Sequence, residues 1–239
     1  MSERHTSVAE GRNKRDKIAR YAPGYSVNST SDSLILRSYP FGEADLIVSY
    51  FTRDLGKLRG VAKRVRKPKS PYGAGLERMS LSRITYTKRE NRDLTTIIGA
   101  EVVSSPFDLA SSYDLALALD FIAEVGEHLL QPEELNEKYF RLMLAMLDYL
   151  RVTGEAGLWP ALLYYSLWSV RLSGFLPELR LLPESAAIAE EMLTVPIAKL
   201  TPRDWSKQTA KDLRRLLVRE IEQQIERKLF TAPMIESLL

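Results

Sequence analysis

The chain has 239 residues, of which 45% are hydrophobic, which is enough for one large folded domain or two of ordinary size. No apolar run is long enough to cross a bilayer and no secretory signal is recognisable, so we expect a cytoplasmic protein with no membrane partner. Cysteine is absent, which excludes disulfides, thiolate catalysis and a cysteine-ligated zinc. We therefore predict no metal and no cofactor.

The charge is distributed unevenly along the chain. Residues 1–103 hold 20 Lys and Arg against 11 Asp and Glu, a net charge of +9. Residues 104–239 hold 14 against 20, a net charge of −6, and the two parts together give the +3 of the whole chain. A basic first part joined to an acidic second part favours two domains, of which the first binds nucleic acid and the second binds proteins.

The basic part begins with residues 1–31, which are polar and cationic with few apolar anchors, a pattern that predicts a mobile basic arm. Within residues 32–103, short β-branched, aromatic and alternating runs predict five strands, over residues 33–38, 45–52, 57–65, 76–87 and 94–103. Gly56 is expected in a left-handed conformation at the turn between the second and third strands. Five turn-linked antiparallel strands predict a small closed barrel, with the OB-fold as the leading candidate.

The stretch most informative about function is residues 56–70, which hold seven basic residues and no acidic one. Its first half alternates as a strand does, and Pro68 makes the remainder a loop. In an OB-fold, strand 3 and the loop between strands 4 and 5 lie on the oligonucleotide side, so we predict that both bind DNA. The predicted contacts are Lys57, Arg59, Lys63, Arg64, Arg66, Lys67 and Lys69 from this stretch, and Lys88, Arg89 and Arg92 from the loop.

The same stretch has a simpler interpretation, as an edge strand whose lysines only prevent aggregation. Aromatic residues could add base stacking to a cationic path. Tyr72 in the loop is the best candidate for this, whereas Tyr50 and Tyr86 are equally well explained as barrel core.

A helical domain is expected over residues 107–239. Apolar residues at helical spacing predict helices over residues 115–129, 139–150, 158–172 and 186–193, and a closing turn over 233–239. Thr201 followed by Pro202 is typical of a helix start, so the last long helix is expected from there to Leu229. The predicted fold class is therefore α+β, a five-stranded OB-fold barrel followed by an all-helical domain.

Catalytic motifs are missing from the sequence. It contains no glycine-rich phosphate loop, nucleophile elbow or metalloprotease motif, and its two histidines, His5 and His128, lie far apart. We do not expect an enzyme.

Several short segments, taken in order, resemble the RecO family of bacterial DNA repair proteins over residues 32–239. These segments are 42–45 (GEAD), 51–57, 62–70, 171–177 and 226–230. The resemblance implies the same barrel and helical domain, and a mediator that anneals complementary strands and helps RecR load RecA onto single strands coated by the binding protein SSB. The implied partners are single- and double-stranded DNA, RecR, the SSB C-terminal tail and, indirectly, RecA, in a bacterial, nucleoid-associated protein.

The resemblance has one departure. Many family members carry two Cys-x-x-Cys pairs for zinc after the Gly-Phe-x-Pro turn, whereas here the corresponding region, about 176–200, has no cysteine and is a degenerate form of that zinc-finger region. The SSB tail is acidic and ends in phenylalanine, so its pocket needs an apolar floor and a cation, for which Arg171 is the candidate. A buried structural ion pair explains Arg171 at least as well. Two other functions remain open, an OB-fold RNA-binding factor of translation or ribosome assembly and a non-enzymatic protein–protein scaffold.

Overall fold

The computed structural model describes residues 28–67, 70–89 and 92–238. Lys69 and residues 1–27 of the predicted arm lie outside the described residues. The strands are β1 Asn28–Phe41, β2 Asp45–Thr52, β3 Gly56–Ala62, β4 Leu81–Thr87 and β5 Thr95–Ser104. The α-helices of the described part are α1 Tyr113–Leu129, α2 Glu137–Thr153, α3 Leu158–Leu172, α4 Pro183–Thr194, α5 Lys211–Gln224 and α6 Thr231–Glu236.

The five strands close into a barrel in the order β1-β2-β3-β5-β4, with β4 pairing back to β1. All neighbours are antiparallel except β3 and β5, which run parallel over a short stretch. Gly60 allows this close pairing, because a Cβ there would lie 2.3 Å from Oγ1 of Thr95. This is the OB-fold arrangement, and the predicted fold class of barrel followed by helices is confirmed.

Alternating side chains of the strands fill the barrel. Tyr50 and Tyr86 are buried there with their rings edge to face and their centroids 5.9 Å apart. Burial raises the pKa of Tyr50 well above its usual value, so its hydroxyl stays protonated and pairs with Oγ1 of Thr95 at 2.7 Å. Tyr72 is also buried, and its hydroxyl donates to the carbonyl of Ile97 at 3.0 Å. The prediction that Tyr72 stacks on a base is therefore wrong.

The strand limits differ most from the predicted ones in β1, β3 and β4. β1 begins at Asn28 rather than residue 33, because the polar segment before Leu34 pairs along its length with β4. β3 ends at Ala62, since the backbone turns at the left-handed Arg64 (φ 61°). β4 begins at Leu81 rather than residue 76.

All six predicted helical segments have a counterpart, but the predicted start of the last long helix is wrong. α5 begins at Lys211, ten residues after Thr201. The backbone N–H of Thr201 donates instead to the carboxylate of Glu191, which keeps the chain extended past α4. Ala210 then takes a left-handed conformation (φ 48°) immediately before α5, so the chain enters this helix by a turn.

The outer face of the barrel shares a hydrophobic core with the helices. Leu34, Leu36, Phe51 and Met79 point out of the barrel and are buried among residues of the helices. The ring of Phe51 lies 5.5 Å from that of Phe140 and 6.3 Å from that of Tyr139, centroid to centroid. The barrel therefore has a core of its own inside and a second core in common with the helical part.

The region that holds zinc in many members of that family, about residues 176–200, begins here with an irregular segment after α3 and continues through α4. The left-handed Gly174 (φ 82°) ends α3, and Leu182 donates its backbone N–H to Asp212 of α5 at 2.9 Å. Glu178 and Arg180 form an exposed ion pair in between. Within the described ranges no group of three His, Cys, Asp or Glu is placed to hold a metal ion, so these residues do not fit a zinc site. None of the described helices has the length and apolar character needed to cross a bilayer.

Candidate nucleic-acid interface

The residues of β3 alternate between the inside and the outside of the barrel, as predicted. Leu58, Gly60 and Ala62 are buried on the inner side, whereas Lys57 and Arg59 point outward. Gly56 has the predicted left-handed conformation (φ 80°) at the preceding turn. It also permits a close approach, because a Cβ there would lie 2.2 Å from the carbonyl oxygen of Glu134.

Lys57 is held by the helical part. Its ammonium donates to the carbonyl of Glu127 at the end of α1, and its own carbonyl accepts from the N–H of Glu133 at 2.9 Å. Burial lowers the pKa of Lys57 and the neighbouring Arg59 lowers it further, while Glu127 acts in the opposite direction. Lys57 therefore joins β3 to α1, and we leave it out of the candidate interface.

Helix α1 also covers part of the outer face of β2. Ser49, which is fully buried, donates to the carboxylate of Glu127, and Phe51 packs against the aromatic residues of α2. In other OB-folds the outer face of strands 2 and 3 carries the oligonucleotide. Here a ligand is restricted to the part of β3 beyond Lys57 and to the loops beside it.

The open part of this side is dominated by residues 63–67, which we call the basic loop. Lys63, Arg64, Arg66 and Lys67 are exposed, and none of them makes an ion pair with an acid in the described residues. Val65 is half-buried and packs against the barrel core. One apolar residue therefore anchors a loop whose other four side chains are free to meet phosphates.

The basic loop is hydrogen-bonded to the turn between β1 and β2 and to the first residue of β2. The N–H of Arg64 donates to Oδ1 of Asp45 at 2.8 Å, and the N–H of Arg66 donates to the carbonyl of Ala44 at 3.2 Å. Sequence reasoning missed the role of Asp45. The sequence placed Asp45 at the start of the second strand and in the segment 42–45 of the resemblance, and neither pattern identifies an acceptor for the N–H of Arg64, nineteen residues later.

The second group of predicted DNA contacts lies on the loop between β4 and β5. Arg89 and Arg92 are exposed and unpaired within the described residues, whereas Lys88 forms an ion pair with Glu133. This loop leads into Thr95, which pairs with Gly60 of β3, so it ends beside Arg59. The loop that carries Arg89 and Arg92 thus ends beside Arg59 in the middle of β3, whereas the basic loop follows the C-terminal end of β3. Lys57 and Lys88 are engaged by the helical part.

A separate cavity of about 550 Å³ lies in the helical part, between α3, α5 and α6. Its apolar lining includes Phe121, Leu162 and Val218. Arg214 and Lys228 at its edge are paired with Glu236 and Glu222. Arg215, also in the lining, is exposed and has no ion pair in the described part of the chain.

Arg171, the residue predicted to receive the SSB tail, lies away from this cavity. It is exposed, and its guanidinium carbon sits 5.1 Å from the ring centroid of Trp168. It makes no ion pair with any described acid, so the alternative explanation of Arg171 as a buried ion pair is wrong. Its role toward a partner stays a prediction.

The fold and these surfaces define an OB-fold protein in which a helical domain covers one side of the barrel and an open cationic surface occupies another. The family model described as "Recombination protein O N terminal" matches residues 27–106. The DNA repair protein RecO of Koribacter versatilis is 37% identical over 87% of this chain and 98% of its own length. The RecO proteins of Dehalococcoides mccartyi and Syntrophotalea carbinolica are each 32% identical, over 62% and 64% of this chain and 57% and 58% of their own lengths.

The chain belongs to the RecO family of DNA repair proteins.

Proposed function

We propose that this protein is a recombination mediator. It binds single- and double-stranded DNA through Arg59, the basic loop, Arg89 and Arg92, and it anneals complementary strands. Together with RecR it helps RecA to load onto single strands that SSB covers. Family membership supports this function over an RNA-binding factor or a scaffold without nucleic acid.

The observation that carries the proposal is the contrast among cations on one side of the barrel. Lys57 and Lys88 are engaged by acidic or carbonyl groups of the helical part, while the four cations of the basic loop have no such partner in the described residues. Unpaired surface cations replace counterions along a phosphate backbone, which gives binding that is independent of base sequence and sensitive to salt. A surface of this kind also reduces the repulsion between two strands, which favours annealing.

The direct experiment is the annealing of complementary oligonucleotides that are each coated with SSB, with and without this protein. We expect faster annealing with the protein, and a decline of that gain as salt rises, because the binding is electrostatic. Non-complementary oligonucleotides are the control for aggregation. An equal rate with and without the protein, or a strong preference for structured RNA, would contradict the proposal.

The helical cavity is our proposed site for the acidic SSB tail. Its apolar lining suits a terminal phenylalanine, and the unpaired Arg215 suits the terminal carboxylate. This assignment replaces Arg171, which is not among the residues that line this cavity.

A pair of charge reversals tests where the tail binds. We expect Arg215→Glu to weaken binding of a synthetic acidic, Phe-terminated tail peptide by about tenfold or more, since a charge-assisted hydrogen bond is worth roughly 1.5–3 kcal/mol. Arg171→Glu, which makes the same charge change on the exposed surface, is the matched control and should have little effect. Fluorescence anisotropy of the labelled peptide measures both. If Arg171→Glu abolishes binding and Arg215→Glu does not, the earlier sequence prediction is right and the cavity is not the site.

A further inference from the structure

We infer that Asp45 is a positioning residue for DNA binding, which acts by holding the basic loop in one conformation. This inference rests on the proposed function and identifies a residue that does not itself contact DNA. It begins from the contact already described, in which Oδ1 of Asp45 accepts from the N–H of Arg64 at 2.8 Å.

The basic loop needs such a support for two reasons. Arg64 has a left-handed backbone (φ 61°), a conformation that is unfavourable for a residue with a side chain. The four cations within five residues also repel one another, which favours an open, fluctuating loop. Three local contacts oppose these effects, from Asp45, from the carbonyl of Ala44 and from the half-buried Val65.

Because Asp45 is negatively charged, its role can be tested by whether its removal raises or lowers the affinity for DNA. A carboxylate beside four DNA-binding cations repels phosphate, so simple electrostatics predicts that its removal strengthens DNA binding. A positioning role predicts the opposite, because a loop that is not pre-ordered must lose conformational freedom when DNA binds. The two effects therefore move the affinity in different directions.

The matched substitutions are Asp45→Asn and Asp45→Ala. Both remove the negative charge, but the asparagine keeps an oxygen that can accept from Arg64, and the alanine does not. We expect single-strand affinity within about twofold of the unsubstituted protein for Asp45→Asn, and about fivefold weaker for Asp45→Ala, the loss typical of one net hydrogen bond. Equal affinities for the two variants, both at or above that of the unsubstituted protein, would overturn the inference.

A second comparison separates positioning of the loop from general damage to the fold. Asp45→Ala is introduced into a chain whose Lys63, Arg64 and Lys67 are already alanine. If Asp45 acts through these cations, it should cause little further loss of affinity there. An undiminished fivefold loss in that background means that Asp45 acts by another route, and the inference is then wrong. If the triple substitution itself has no effect on binding, the basic loop is not the DNA site proposed above, whatever Asp45 does.

A third measurement needs no substitution. In the DNA-free protein, the amide of Arg64 should exchange its hydrogen more slowly than that of Val65, since the Arg64 amide is bonded to Asp45 and the Val65 amide has no hydrogen-bond partner in the described residues. Equally fast exchange of the two amides means that Asp45 does not hold the loop before DNA arrives.

Discussion

Replacing Lys63, Arg64 and Lys67 together by alanine is expected to flatten the salt dependence of single-strand binding. The slope of log affinity against log salt concentration changes by about 0.7 for each phosphate contact, so the loss of three should reduce it by about two units. All base sequences should be affected alike, since backbone contacts do not read bases. Folding stability should change little, because the three side chains are exposed.

The matched control for this triple substitution removes three exposed cations from the helical part, Lys138, Arg141 and Lys199. It changes the net charge of the chain by the same amount. We expect its salt slope to stay close to that of the unsubstituted protein, and binding of the acidic tail peptide to be retained in the basic-loop variant. An unchanged slope in the basic-loop variant would mean that the stretch only protects an edge strand. Arg89 and Arg92 would then be the residues to test.

Phe51→Ala is expected to destabilise the whole protein by roughly 3–5 kcal/mol, the usual cost of removing a fully buried phenylalanine. Phe51 is 0% exposed and lies between the barrel and the rings of Tyr139 and Phe140. Because this core belongs to both parts, the loss should lower the unfolding midpoint of strands and helices together. Urea unfolding followed by hydrogen exchange of the amides in β1–β5 and by helical circular dichroism measures the two.

Phe107→Ala makes the same chemical change at a side chain that is 78% exposed, and should alter the free energy of unfolding by no more than about 0.5 kcal/mol. A loss of barrel structure in Phe51→Ala with the helices intact would show that the two parts unfold independently.

The barrel could be predicted from sequence because the patterns that specify its strands and turns involve residues close together in the chain. β2 runs over Asp45–Thr52 as its β-branched and aromatic residues indicate, and Gly56 has the positive φ that the turn requires. Outward cations and inward small residues alternate along β3 in the predicted way. Each of these features depends on residues only a few positions apart.

The predictions that failed depend on contacts between distant residues. Lys57 and Arg59 are equivalent in the sequence pattern of β3. They differ in the structure because the ammonium of Lys57 is bound by the carbonyl of Glu127, seventy residues later. Tyr72 lies among loop residues, yet its ring completes the barrel core and its hydroxyl finds a carbonyl on β5. Thr201 begins a typical helix-start sequence, but its N–H donates to the carboxylate of Glu191 on α4, and no helix begins there. Periodicity carries no information about such partners.

The outward-facing Leu34, Leu36, Phe51 and Met79 also limit how RecO proteins can exchange parts. A chimaera that joins this barrel to the helices of a relative puts two apolar surfaces together that were not shaped for each other. Close packing tolerates little mismatch in volume, so such a chimaera would fold poorly even with a well-chosen junction. The barrel can be exchanged between relatives only together with Tyr139, Phe140 and the other helical residues that cover it. The part of the chain that can be exchanged as a unit is therefore larger than the OB-fold.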